Sequence, residues 1–242
     1  MPHGTPDWGL VGPKSTTYGL DDLGESAVRQ GSPVSHDRRG DVIWMDAFEE
    51  GWNAWHYGLF AADATIRLAS NTPLHGAYHL ILGSGNDDVN GLDVFKRLAY
   101  PVLGNMGLEV AFAFPPELGR LFLAISVYDG THQRSYEVAY DLAAQTLSYW
   151  TDPGVGIPFA AGVRLSTVYS CYAIFKLVID ATAQTYFRLV LNEQWFDMRA
   201  YVPRRTVDGE PPNIAVSFGV RGDGVTDVDV YVDRVIVTQN EP

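Results

Sequence analysis

The chain has 242 residues, 46% hydrophobic, 19% charged and 12% aromatic, a composition that supports a large packed core and excludes a disordered chain. Its formal net charge of −12, from 17 basic against 29 acidic residues, excludes a surface built to neutralise phosphates, so direct nucleic-acid binding is not expected. With 24 glycines and 14 prolines, it has the turn positions that short strands require.

Residues 1–41 read as an extended arm. They carry turn-like prolines and glycines, one hint of a helix at 20–29, and apolar residues spaced along a polar segment. Such a segment cannot bury its own apolar groups and gains by docking on another surface. Trp8, Leu10, Tyr18 and Leu20 are the expected anchors, and an identical subunit or another protein of an assembly is the expected partner. The first twenty residues lack the charged and apolar regions of a secretory leader, and no run of eighteen apolar residues occurs. Synthesis and folding in a cytoplasm are therefore expected.

From residue 42 the pattern changes to a period of two, the mark of half-buried strands, and residues 42–242 are expected to form one β-sandwich. The stretch MDAFEEGWNAW at 45–55 combines acids with indoles and is expected to start and seal that sandwich. Leu108, Val110, Phe112 and Phe114 share one face, as do Leu121, Leu123, Ile125 and Val127. Hairpins are expected over 135–150 and 173–198, the second turning at 180–184. In the last strand Val228, Val230 and Val232 point inward, while Asp229, Tyr231 and Asp233 point outward. Roughly a dozen strands follow one another at intervals of about ten residues. Trp52, Trp55, Trp150 and Trp195 sit beside apolar neighbours and read as core anchors, and Cys171 reads as a small buried core residue.

Catalytic signatures are sparse. Glu137 and Asp141 are four apart on one strand and share a face, which puts them near 13 Å apart, too far for the carboxylate pair of a glycosidase. His75 and His79 would share a face but lie too far apart for one metal. The acidic loop 85–93 lacks the bidentate glutamate of a helix-loop-helix calcium site and reads as exposed. No enzymatic activity is expected.

Asp46, Phe48, Glu49, Gly51 and Trp55, followed by the small-residue strand at 75–80 and the closing Val-Tyr-Val-Asp-Arg-Val at 230–235, resemble jelly-roll carbohydrate-binding modules and the concanavalin A-like lectin and glucanase group. The resemblance covers residues 42–238 and implies an all-β jelly-roll sandwich. It also implies a structural calcium ion held by Glu49 and Asp233, with Asp46 as an additional ligand; no other cofactor is expected. The arm is similar to N-terminal segments of tailed-bacteriophage proteins, which implies a structural protein of the virion, a head decoration or tail component attached through its arm. The alternative is a carbohydrate-binding module for attachment to host glycans.

Overall fold

The computed structural model describes residues 39–99, 104–152 and 155–242. Among these it contains sixteen strands and no helix. In chain order the strands are β1 (Asp41–Asp46), β2 (His56–Leu59), β3 (Thr65–Ala69), β4 (His79–Gly83), β5 (Gly91–Ala99), β6 (Asn105–Ala113), β7 (Arg120–Tyr128) and β8 (His132–Asp141). They continue with β9 (Thr146–Asp152), β10 (Val155–Ala161), β11 (Ala173–Asp180), β12 (Thr185–Leu191), β13 (Gln194–Asp197), β14 (Arg204–Val207), β15 (Asn213–Arg221) and β16 (Asp229–Gln239).

They form two antiparallel sheets. The first runs β13-β12-β11-β6-β16-β4-β3, with β1 also pairing with β16. The second runs β10-β9-β8-β7-β15-β5-β2, with β14 also pairing with β8. Period-two alternation explains the layering: Leu108, Val110 and Phe112 of β6 meet Leu121, Leu123 and Ile125 of β7 in one apolar cluster between the sheets. The neighbours on each strand face outward. Both expected hairpins form, as β8–β9 and β11–β12.

The stretch at 45–55 seals the core. Asp46 accepts hydrogen bonds from the Phe48 amide at 2.7 Å and from Trp55 Nε1 at 2.9 Å, closing a turn. That turn delivers Phe48 and Trp55, 0% and 4% exposed, into the interior. Trp55 lies edge-on to Trp44 and Phe218, with centroids 4.9 and 5.2 Å away.

Two details shape the outer faces. The β16 register slips between Asp233 and Val235, and Arg234 takes φ 51° in the resulting bulge. Asp233 and Arg234 then both serve contacts outside the core: Asp233 accepts from the Leu74 and His75 amides, while Arg234 reaches Glu109 at 3.3 Å. Along β8 the outer partner changes from β14, paired to 132–135, to β9, paired to 138–141. At this change of partner Glu137 is bound instead by Tyr186 of the opposite sheet, whose hydroxyl accepts from the Glu137 amide at 2.8 Å and donates to its carbonyl at 3.0 Å.

Candidate functional site

The outer face of the second sheet holds a cleft of about 510 Å³. Its floor comes from β7 and β8, where Phe122, Glu137, Ala139 and Asp141 alternate with core residues such as Leu123, Val138 and Tyr140. Thr146, Ser148 and Trp150 of β9 form one side, while Asp88, Val89 and Arg221 form the other. Gly156 on β10 lets that strand pass beside Trp150: a Cβ there would meet Trp150 Cζ2 at 2.9 Å.

The polar groups are fixed from several directions. Arg221 pairs with Asp93 at 2.6 Å, donates to the Val89 carbonyl at 3.1 Å, and lies 4.5 Å from the centre of the Phe122 ring. It thereby holds the loop 87–90 at the rim, a loop that Asp87 closes internally by accepting from the Val89 and Asn90 amides. Arg120 stands 6.0 Å over the Trp150 ring and pairs with Asp141 at 3.6 Å. Its side chain keeps 40% of its surface exposed, so its donors remain open to an incoming ligand.

Glu137 lies at the bottom of this constellation. Burial pushes its carboxyl above the ordinary glutamate value, and Arg204 and Arg221 offset part of that rise. With its backbone bound by Tyr186, the side chain is presented from a rigid point on the sheet. The arrangement pairs an indole surface with carboxyl, guanidinium and hydroxyl groups, and the carboxyl favours its protonated form more than a free glutamate would.

The residues expected from the sequence to hold a metal fall elsewhere. Glu49 and Asp233 clasp the loop 72–78 from two sides. Glu49 Oε1 accepts from the Ala77 and Tyr78 amides at 2.7 and 3.1 Å, and Asp233 Oδ2 accepts from the Leu74 and His75 amides at 2.6 and 3.0 Å. Gly76, at φ 63°, turns so close to Glu49 that a Cβ would sit 2.0 Å from Oε1. Asp233 Oδ1 is buried without a hydrogen-bond partner, and burial first, with repulsion from Glu49 adding, pushes this carboxyl up to about 6. Two carboxylates and an orphaned buried oxygen fit a hard cation; Asp46 does not join them, because both its oxygens serve the turn at 46–55. Among the described residues no group of three or more His, Cys, Asp or Glu gathers where it could hold a metal.

Trp8, Leu10, Tyr18 and Leu20 lie outside the described residues. Three sequence expectations are corrected by the structure. Cys171 is exposed, because it lies in a turn before β11 rather than in the strand itself. Trp195, at the β12–β13 edge, is 53% exposed. Trp150 lines the cleft instead of filling the core. Glu137 and Asp141 do share the cleft floor, but the residues that complete it come from neighbouring strands and from the loop 87–90. Sequence spacing along one strand does not reveal such a cross-strand set.

No family model and no curated protein matches the chain. Solved structures do. A cellulose-induced protein, Cip1, superposes with a TM-score of 0.57 at 15% identity, covering 81% of this chain and 96% of that one. An endo-β-1,4-glucuronan lyase from the fungus Trichoderma reesei gives 0.55 at 11% identity, over 83% and 96% of the two chains. The potassium-bound carbohydrate recognition domain of Emp46p gives 0.51 at 10% identity, over 83% and 94%. The fold is a concanavalin A-like jelly roll. These identities establish the fold alone, yet they overturn one expectation: the jelly roll is also the scaffold of an enzyme, the glucuronan lyase. The spacing of Glu137 and Asp141 along one strand limits only that pair. A sheet face can assemble its chemistry from several strands at once.

Proposed function

We propose that the protein binds a carbohydrate chain in the cleft on the outer face of the second sheet. The observation that carries this reading is the placement of Trp150 beside Arg120, Glu137, Asp141 and Ser148 in one cleft. A pyranose offers an apolar face of C–H groups and a rim of hydroxyls. Trp150 suits the former and the charged side chains the latter. The carbohydrate-recognising neighbour of the same fold supports the substrate class. Calorimetric titration with neutral and uronate-containing oligosaccharides tests it. Binding to at least one class is expected, and Trp150→Ala should weaken it at least tenfold, about 1.4 kcal/mol. Absence of binding across both classes would refute the reading.

The raised pKa of Glu137 favours a second reading of the same cleft, in which this carboxyl transfers a proton during cleavage of the bound glycan. Glu137→Gln should then retain binding while abolishing turnover, measured as release of shortened oligosaccharides. A wild-type protein that binds without turnover confines the cleft to recognition.

A calcium ion joining Glu49 and Asp233 is the accompanying cofactor proposal. The ion would neutralise the repulsion between the two carboxylates and tie the loop 72–78 to β16. Chelator should lower the Tm and calcium restore it. At a hundredfold excess over Kd the linkage amounts to about 2.7 kcal/mol, and an unchanged melting curve would remove the ion from the account. The reading as a virion protein rests on the arm, and nothing in the described fold or in the comparisons supports it.

A further inference from the structure

Where β8 changes its outer partner, the two strands that meet bring an indole and a guanidinium to the same point of the second sheet. Ser148 of β9 pairs with Ala139, so Trp150, two residues on, comes level with Glu137. The Tyr186 hydroxyl fixes that level, lying 3.0 Å from the Glu137 carbonyl and 3.4 Å from the Trp150 carbonyl. From the other direction Arg204 of β14 pairs with Ser135, the next outward residue of β8. Trp150 and Arg204 therefore stand one pleat repeat apart, about 7 Å, beside Glu137. The sheet around them is low: Ala124 lies opposite Glu137, Ser126 opposite Ser135 and Ser217 opposite Ala124.

Arg204 lacks a counter-ion. Its Nε is buried without a hydrogen-bond partner, and among the described residues its guanidinium makes no ion pair. Asp208 and Glu210, which lie with it around Tyr128, are engaged: Glu210 pairs with Arg97 at 2.6 Å, and Asp208 accepts from the Glu210 amide at 3.0 Å. Arg120 and Arg221, the cations that line the cleft, have Asp141 and Asp93. Glu137 does not fill the gap, since burial favours its protonated form. A planar carboxylate on a ligand supplies both the charge and the two-point hydrogen bonding that this guanidinium is without.

We propose that the cleft takes an acidic polysaccharide built of uronate units, one of whose carboxylates binds Arg204 beside Glu137 while its ring lies on Trp150. The assignment rests on the glycan reading of the cleft and adds the sugar class and the residue that selects it. A uronate carries its carboxylate at the edge of the ring, so a ring stacked on the indole presents that group sideways, toward Arg204. A neutral sugar offers a hydroxymethyl group at the same place and leaves the guanidinium without its counter-charge, the kind of unmatched polar group on which discrimination depends.

Calorimetric titration tests this with oligosaccharides of galacturonate, glucuronate and mannuronate, each beside its carboxyl-reduced neutral counterpart, and with a sulfated galactan oligosaccharide. At least one uronate chain should bind at least tenfold more tightly than its reduced counterpart and than the sulfated galactan. Arg204→Gln should remove that preference, lowering affinity for the uronate chain at least tenfold while changing that for the neutral one less than twofold. Arg204→Lys should keep part of it. Equal binding of the uronate chains and their reduced counterparts would overturn the proposal and leave the glycan site standing, as would an equal loss for both ligands in Arg204→Gln. Preference for the sulfated galactan would overturn it in favour of a sulfate-reading site. Absence of binding to every chain would remove the glycan site and the proposal together. Should the Arg204 variants fail to fold, the wild-type preference within each matched pair still decides.

Discussion

On the outer face of the first sheet Lys176, Arg188, Glu109 and Glu241 are at most 3% exposed, whereas across the molecule Arg120 and Asp141 keep 40% and 32% of their side-chain surface. Both faces carry ion pairs between arginine or lysine and a carboxylate, so residue type does not separate them. Solvent does. A buried pair has given up its water and must be satisfied within the protein, which makes its geometry rigid and its loss costly. An open pair exchanges partners with water readily and can do the same with the hydroxyls of a sugar. One face is therefore structural and the other available for recognition.

Removing one carboxylate from each face is the sharpest way to break this comparison. Glu241→Ala leaves Lys176 and Arg188, both 1% exposed, without the carboxylate that pairs with them at 2.7 and 2.5 Å. The expected loss of unfolding free energy is about 3–5 kcal/mol, measured by denaturant titration. Asp141→Asn removes the charge of a pair already open to water while keeping an acceptor for the Ala144 amide, and should cost less than about 1 kcal/mol. Equal losses at the two sites would mean that the faces do not differ as described.

A smaller effect is expected where the two sheets communicate. Tyr186→Phe deletes the hydroxyl that binds both backbone groups of Glu137 at the change of strand partner. The cost should be about 1–3 kcal/mol, since a donor and an acceptor are left unsatisfied. Because β8 forms the cleft floor, the substitution should also weaken glycan binding measured by calorimetry, while leaving the first sheet's exchange protection unchanged. A stability loss with unaltered binding would detach the cleft from this support.

The sandwich was legible in the sequence for a plain reason: alternation in segments such as 108–114 and 121–127 encodes which face meets the core. The stretch at 45–55 was legible as a seal, since Asp46 and Trp55 lie close enough in sequence to form their hydrogen bond locally. The outer faces were not. Lys176 and Glu109 look like ordinary solvent-facing residues of an alternating strand, yet each is 1% exposed and ion-paired to a residue distant in sequence, Lys176 to Glu241 and Glu109 to Arg234. The cleft was equally hidden, since it joins Arg120, Glu137, Trp150 and Arg221 from separate strands. Trp150 and Trp195 leave the core because an indole beside apolar neighbours is amphipathic enough for either environment.

The smallest expected effect concerns protonation at the cleft floor. Burial raises the Glu137 carboxyl above its ordinary value of 4.5, so the folded protein binds this proton more tightly than the unfolded chain does. Between 4.5 and the raised value the native state carries more protons, and linkage makes stability fall as pH increases. The contribution is fully present below that window and is lost as pH rises through the folded pKa. Asp129 has the opposite sign: its Arg134 partner and the Thr131 and His132 amides hold it below its ordinary value, so its contribution is lost on acidification. Subtracting the melting curves of Glu137→Gln from those of the wild type isolates the first term. The difference should stay flat below the ordinary value of 4.5 and decline as pH rises from there through the raised one. A difference that rises with pH would show that the neighbouring arginines outweigh burial at Glu137, leaving its carboxylate ionised and the cleft without a proton to transfer.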